Sequence, residues 1–554
     1  MRLRVSSFGW VALLGAVAGC NGITGADDLV ASPDFDASSG DGVKTAGAGG
    51  AWGTGSGEVA TGATATSGAT SGAGGAPNPT GASASSAVGS GATSSSSGAG
   101  GSDTTTSSGA GGGSPPPPPP PPVGDAADGV TLVDAKLYQA IEVPLTQATT
   151  IPVVANRDAM VRVFYKVIGG YDGQPVTARF SAGQYYVEKS QILSGASSQA
   201  SLGSTVNLQI PGYMLTVGGT FRIDLVQASS TGTNSSAGFP QGTQQVPHNA
   251  KSTGDKLKLV LVPVQNYGSM PDTSPAQVQK YVDYFRWQYP IPNVEVTVRS
   301  QAHTYNGDLG SYYGWSDLLD EISQLRDGDG VADQVYYYGI HDADGNGLLG
   351  LGWVADANDP WSRAAIGVGW SGNTAPETAV HEIGHNHGRD HSPCGVDGDP
   401  NYPHYGATLG VWGYHPGTGK LLPPDDYVDF MSYCDPQWVS DFTYKALFNR
   451  LKHVNGAKLV FPPELVGRTW DRVRVLEGQA TWLDAVKLER PPVGTEKTVV
   501  VTSEGGTKAV TGHYYAYNHL DGGVLFVLRP KAKLTPGIKA IDFSIDGVKL
   551  HVSR

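Results

Sequence analysis

The sequence predicts a multidomain protein. An α/β domain, a mixed twisted sheet with helices packed on it, is flanked by β-sandwich-like domains and follows a disordered N-terminal tether. Three observations predict this. Residues 257–370 alternate strand-like and helix-like runs, whereas 130–227 and 457–554 carry only short β-branched or alternating runs. Residues 21–129 are almost entirely Gly, Ser, Ala, Thr and Pro, with Phe35 and Trp52 as their aromatics and Lys44 as their cation. Such a stretch buries too little apolar surface to offset chain entropy. The remainder of the 554-residue chain is ample for two or three domains. The formal net charge of −13 argues against nucleic acid as a partner, since that needs a basic face.

At the N-terminus, Arg2 and Arg4 precede a short apolar run, Trp10–Ala18, too short to span a bilayer and read as an export signal over 1–19. It ends in Val17-Ala18-Gly19-Cys20, which resembles the bacterial lipoprotein lipobox. That resemblance implies lipidation of Cys20 and a membrane partner through the anchor, with Asn21 favouring the outer membrane. Residues 20–129 then read as a lipid-anchored tether with a root-mean-square reach of roughly 55–60 Å. Pro115–Pro122 add a stiff spacer of about 25 Å.

The first β domain is expected over 130–255 and the α/β domain over 256–456. In the latter, KLKLVLVPV reads as a strand and SPAQVQKYVDYFRWQ as a helix capped by Ser274. A strand (NVEVTVRS), a helix (WSDLLDEISQLRD) and a strand (DQVYYYGI) follow, then RAAIGVGW at 363–370 as a further strand and a helix over 375–387. Thr374 and Glu377 are spaced as a capping box for that last helix. The second β domain is expected over 457–554.

Residues 381–391 read HEIGHNHGRDH. His381 and His385 are i and i+4, so their rings share one helix face, with Glu382 between them. Gly388 can end the helix in a left-handed turn that returns His391 to the same metal. Three neutral imidazoles leave the fourth position of zinc open, the mark of a catalytic site. His387, about 200° around the helix from His385, faces away from the metal.

The pattern HExxHxxGxxH resembles the metzincin family of zinc endopeptidases. Asp429-Phe430-Met431-Ser432-Tyr433-Cys434 follows His391 by about forty residues, and Met431 matches that family's Met-turn. The resemblance implies one catalytic zinc on His381, His385 and His391, and Glu382 as general base. Tyr433 would stabilise the oxyanion or act as an extra ligand, with a core tyrosine as the other reading. The strand 363–370 would be an edge strand that substrate pairs with. Segment 399–427, with His404, Tyr405, Trp412 and Tyr414, would shape a pocket or else pack as a loop. More narrowly, HEIGHNHGRDH, VWGYH at 411–415 and the Met-turn region are similar to StcE-like secreted metalloproteases over roughly 257–455. That implies protein or glycoprotein substrates, including O-glycosylated, mucin-type ones. With Cys20 assigned to lipid, Cys394 and Cys434 remain. Export favours disulfides, and in a metzincin both segments approach the metal from below, so the two are expected to pair.

Weaker signals remain. Asp342-Ala343-Asp344-Gly345-Asn346-Gly347 matches the start of a Ca2+-binding EF-hand loop, but position 12 is Trp353, so a turn is the better reading. His248, His303, His341, His453, His513, His519 and His551 are scattered and support no site. Two other readings stand beside the protease: a surface adhesin or carbohydrate-binding lipoprotein with a vestigial protease domain, and a metallohydrolase of non-peptide substrates.

Overall fold

In the computed structural model the described residues are 124–554, apart from 231, 233, 345–346 and 531–536. The segment expected as an export signal, Cys20, the polyproline run and most of the expected tether lie outside them, as do two residues of the EF-hand-like loop. The described residues begin inside the segment expected as tether. Asp125–Ala126 pairs with the end of the strand Thr220–Gln227, and Ala127 is fully buried. Asn234 Nδ2 donates to the carbonyls of Ala127 and Val130, which fixes this entry. The low apolar content of the segment hid a lead-in held mainly by backbone pairing.

Two antiparallel sheets form the first β domain. One has the order Asp125–Ala126, Thr220–Gln227, Val176–Ala182, Tyr185–Gln191. Thr220–Gln227 alternates strictly, burying Phe221, Ile223 and Leu225. The other contains Ile141–Pro144, Val130–Gln139, Ala159–Val167 and Val206–Ile210, and it is extended by Gly413–His415 and Lys420–Leu422 from far downstream. Leu137, Val161 and Val163 of this second sheet share one apolar core with Phe180, Phe221 and Ile223 of the first.

The α/β domain is a sheet in the order Asn293–Val298, Lys256–Asn266, Val335–His341, Ala364–Val368, Gly350–Gly352. The first four strands are parallel and Gly350–Gly352 runs antiparallel. Parallel strands covered on both faces are apolar throughout, and Ala364–Val368 is buried at all five positions. Three helices belong to this sheet: α1 (Pro275–Gln288), α2 (Tyr312–Gly328) and α3 (Thr374–Asn386). A fourth, α4 (Asp441–Gly456), closes the domain. Ser274 caps α1, accepting from Gln277 N at 3.3 Å.

Two expectations are corrected here. Ala364–Val368 is an interior strand, paired on both sides, and Gly350–Gly352 holds the edge. Three residues, two of them glycine, are too few to read as a strand from sequence. The capping box at Thr374 does not form either. Asn373 is the N-cap residue, without a side-chain bond, and Glu377 instead accepts from the Tyr284 hydroxyl of α1 at 2.9 Å.

The domains interlock. Segment 399–427 packs mainly on the first β domain, where Tyr414 N donates to Ala140 O and Glu142 N donates to Trp412 O, while its first residue meets the third histidine, Asp399 N donating to His391 O at 2.7 Å. Tyr414 also stands edge-on to Tyr138. His404 bonds Asp441 at 2.6 Å, and Tyr405 is exposed. The buried guanidinium of Arg157 donates to the carbonyls of Arg286, Trp287 and Tyr289, satisfying the C-terminus of α1 from the neighbouring domain.

The C-terminal β domain is one seven-stranded antiparallel sheet, in the order Gln479–Leu488, Arg468–Leu476, Gly522–Leu528, Gly506–Ala516, Thr495–Ser503, Ala540–Ile545, Val548–Ser553. Its inner face joins a core with α2 and the sheet: Trp315, Leu319 and Trp353 pack with Trp470, Tyr515, Tyr517 and Phe526. Buried Arg472 pairs with buried Asp320 of α2, and Arg490 with Asp333 at 2.6 Å. This domain is therefore an integral part of the body.

Candidate metal centre

Helix α3 carries His381, Glu382 and His385 in a buried setting; Glu382 and His385 are each 1% exposed. Asn386 Nδ2 fastens the helix to the sheet by donating to Trp353 O and Ala364 O. The helix ends at Gly388, whose φ of 73° lies in the left-handed region. A Cβ there would also meet Arg450 at 2.1 Å. The turn brings His391 against the other two histidines, with ring centroids 4.7 Å from His385 and 5.3 Å from His381. His387 points elsewhere: it stacks on Tyr336 at 4.7 Å, and burial pushes its pKa down to about 3.

The third histidine is held from below. Ser392 N donates to Met431 O and Tyr433 N to Cys394 O, both at 2.9 Å, and Cys394 and Cys434 are joined by a disulfide with Cα atoms 5.7 Å apart. Buried Asp429 accepts from Ser392 Oγ, Met431 N and Ser440 N, tying this turn to the start of α4. Met431 is fully buried under α3. A Cβ on Gly384 would sit 2.5 Å from Met431 Sδ, so any larger residue there would make the Met431 side chain shift.

The protonation states of the histidines follow from their partners. His381 Nδ1 lies 2.8 Å from Phe430 O, and His385 Nδ1 lies 2.6 Å from Arg389 O. A carbonyl only accepts, so each Nδ1 carries the proton and each Nε2 offers a lone pair. Those two Nε2 atoms are 3.1 Å apart. His391 Nε2 is buried without a hydrogen-bond partner. Burial depresses the pKa of all three, that of His391 to about 3, so none of the three is charged near neutral pH. Converging lone pairs in a buried pocket fit a divalent cation with a taste for imidazole, and the Nδ1-to-carbonyl bonds are the outer partners that metal-bound histidines use. Among the described residues, this is the one group of three or more such side chains able to hold a metal ion. In the EF-hand-like segment, Asp342 accepts from Ser269 Oγ at 2.7 Å.

Sequence reasoning missed part of the centre. His519, set aside as scattered, comes from the hairpin tip between Gly506–Ala516 and Gly522–Leu528 and belongs to the histidine group. Its Nε2 lies 3.0 Å from Glu382 Oε1, and Asn518 Nδ2 donates to Glu382 Oε2 at 2.7 Å. The Tyr433 hydroxyl bonds His519 Nδ1. Burial, then the Glu382 charge, raises the Tyr433 pKa. Gly350 makes room for Glu382; a Cβ there would be 2.4 Å from its carboxylate. Neither His519 nor Gly350 carries a local signal, because each is brought in by tertiary pairing alone.

No protein-family model matches the chain, and no curated protein matches it. Among solved structures it is similar to metalloproteinase-II from Bacteroides fragilis, with 13% identity over 53% of this chain and 79% of that one and a TM-score of 0.24.

Proposed function

We propose that the chain is a zinc-dependent endopeptidase, with His381, His385 and His391 as ligands and Glu382 as general base. The observation that carries it is the pair of facing Nε2 lone pairs of His381 and His385, with the orphaned His391 Nε2 beside them. When bound, zinc would lower the pKa of a water toward neutrality and polarise a carbonyl. Glu382, one residue along from the first ligand, would take the proton of the attacking water and pass it to the leaving amine. Asn518 holds one oxygen of that carboxylate and so fixes its plane. The Tyr433 hydroxyl would donate to the developing oxyanion. Glu382 and His385 are each 1% exposed, so their interactions are strengthened by the low local dielectric.

The same reading extends to substrate and place. Extracellular proteins, including mucin-type glycoproteins, are the proposed substrates, on the strength of the sequence resemblance. Export and anchoring through Cys20 would set the enzyme on the outer membrane, and the Cys394–Cys434 disulfide accords with an oxidising compartment. The test is zinc content of the purified chain, followed by casein and mucin hydrolysis with and without a chelator. One zinc per chain and chelator-sensitive cleavage support the proposal. Hydrolysis that persists after the metal is stripped would sink it.

A further inference from the structure

We infer that His519, delivered by the C-terminal β domain, is a fourth ligand of the metal, so that the resting centre is closed by the chain's own side chain. The inference rests on the three-histidine metal reading above.

The geometry around His519 is that of a ligand. Its ring centroid lies 5.5 Å from His381, 5.5 Å from His385 and 4.9 Å from His391. The other three pairs lie 4.9, 5.3 and 4.7 Å apart. Six such near-equal distances describe a slightly irregular tetrahedron. Four imidazoles on one tetrahedral zinc, at the usual zinc–nitrogen length, place their ring centres about 5 Å apart. One nitrogen from each ring also lies within 4.8 Å of every other.

The rest of the tip fits this role. Tyr517 and Leu520, on either side of Asn518-His519, are buried in the core shared with α2, and Tyr517 stacks on Trp353 at 5.1 Å. Tyr517 also bridges Trp353, and Asn518 Oδ1 accepts from Gly352 N at 3.0 Å, so the tip is stitched to the edge strand next to Glu382. The Tyr433 hydroxyl on Nδ1 orients the His519 ring, as outer partners of metal-bound histidines do. To ligate, His519 Nε2 gives up its proton and its bond to Glu382 Oε1, and the neutral ring is then protonated at Nδ1, which donates to the Tyr433 hydroxyl oxygen. Asn518 keeps its bond to the other oxygen of Glu382 when the ring moves. The position that water or substrate requires is then occupied at rest, and turnover requires His519 to give it up.

Zinc affinity of the full chain, measured by competition with a chelating dye, tests this alongside the visible absorption of the cobalt(II)-loaded protein. His519→Ala should weaken zinc at least about tenfold and change the cobalt spectrum, as loss of a nitrogen ligand must. The metal-free His519→Ala chain should melt within a few degrees of the metal-free wild type, since without the ion no ligand bond is lost. The assignment is overturned if His519→Ala leaves affinity and spectrum unchanged. It is equally overturned if the metal-free His519→Ala chain melts far below the metal-free wild type, since the effect is then disruption of the tip. If the wild-type chain takes up neither zinc nor cobalt, the three-histidine reading itself fails, an outcome distinct from both.

Discussion

His381 Nε2 and His385 Nε2 face each other at 3.1 Å while both Nδ1 protons are committed to backbone carbonyls. Two neutral rings so placed repel, and a cation between them turns the repulsion into binding. The metal should therefore stabilise the fold as well as equip it for chemistry. At free zinc about a thousandfold above its dissociation constant, a bound ion adds roughly 4 kcal/mol. Thermal melts with and without chelator should differ accordingly for the wild type, and His385→Ala should abolish the difference. Superimposable wild-type melts would show that no ion binds there.

Tyr433→Phe should leave zinc bound while slowing peptide hydrolysis by roughly one to three orders of magnitude. The hydroxyl stands beside the histidine group, bonded to His519 Nδ1. Steady-state kinetics decide the point, and unchanged kcat would reduce Tyr433 to a packing residue.

The Cys394–Cys434 bridge closes a loop with a sequence separation of 40 that holds the whole segment between the third histidine and the Met431 turn. On the chain-entropy argument it contributes about 4 kcal/mol. Cys394→Ser should lower the melting temperature by several degrees and weaken zinc without removing any ligand. Equal stability of the variant and the wild type would mean that the backbone bonds at Ser392 and Tyr433 suffice.

Acid should destabilise the fold in part through His341, a buried residue of the central strand packed edge-on to Trp315. Burial pushes its pKa from 6.5 down to about 4. As pH falls through that window, the unfolded chain takes up the proton and the folded chain does not. Its stabilising contribution is thus complete above pH 6.5 and is lost on the way down to about 4. Each such histidine steepens the loss by about 1.4 kcal/mol per pH unit. Urea denaturation at a series of pH values should show a shallower acid limb for His341→Phe, and an identical slope would contradict the assignment.

What is local was legible in the sequence. His381, His385, Gly388 and His391 lie within eleven residues, so helical spacing and one left-handed glycine define their arrangement. The alternation of Thr220–Gln227 and the apolar run of Lys256–Asn266 likewise announce a half-buried and a covered strand. What depends on tertiary pairing was not legible. Gly350–Gly352 is a strand only because Ala364–Val368 pairs with it, and its neighbour Trp353 bridges Tyr517. The hairpin Gly413–His415 and Lys420–Leu422 belongs by sequence to one domain and by hydrogen bonds to another. His519 reaches the centre from 128 residues beyond His391, and no periodicity spans that gap. Glu377 had the right spacing for a cap, but Tyr284 took its carboxylate.

The most direct test of the central claim compares casein hydrolysis by the zinc-loaded wild type and by Glu382→Ala, with zinc content measured on both. Among the described residues the hydrogen-bond partners of the Glu382 carboxylate are Asn518 and His519 and not His381, His385 or His391, so its loss should spare those three. The account predicts equal zinc in the two proteins and a fall in turnover of roughly two to four orders of magnitude in the variant. A variant that holds zinc and cleaves casein at the wild-type rate would contradict it.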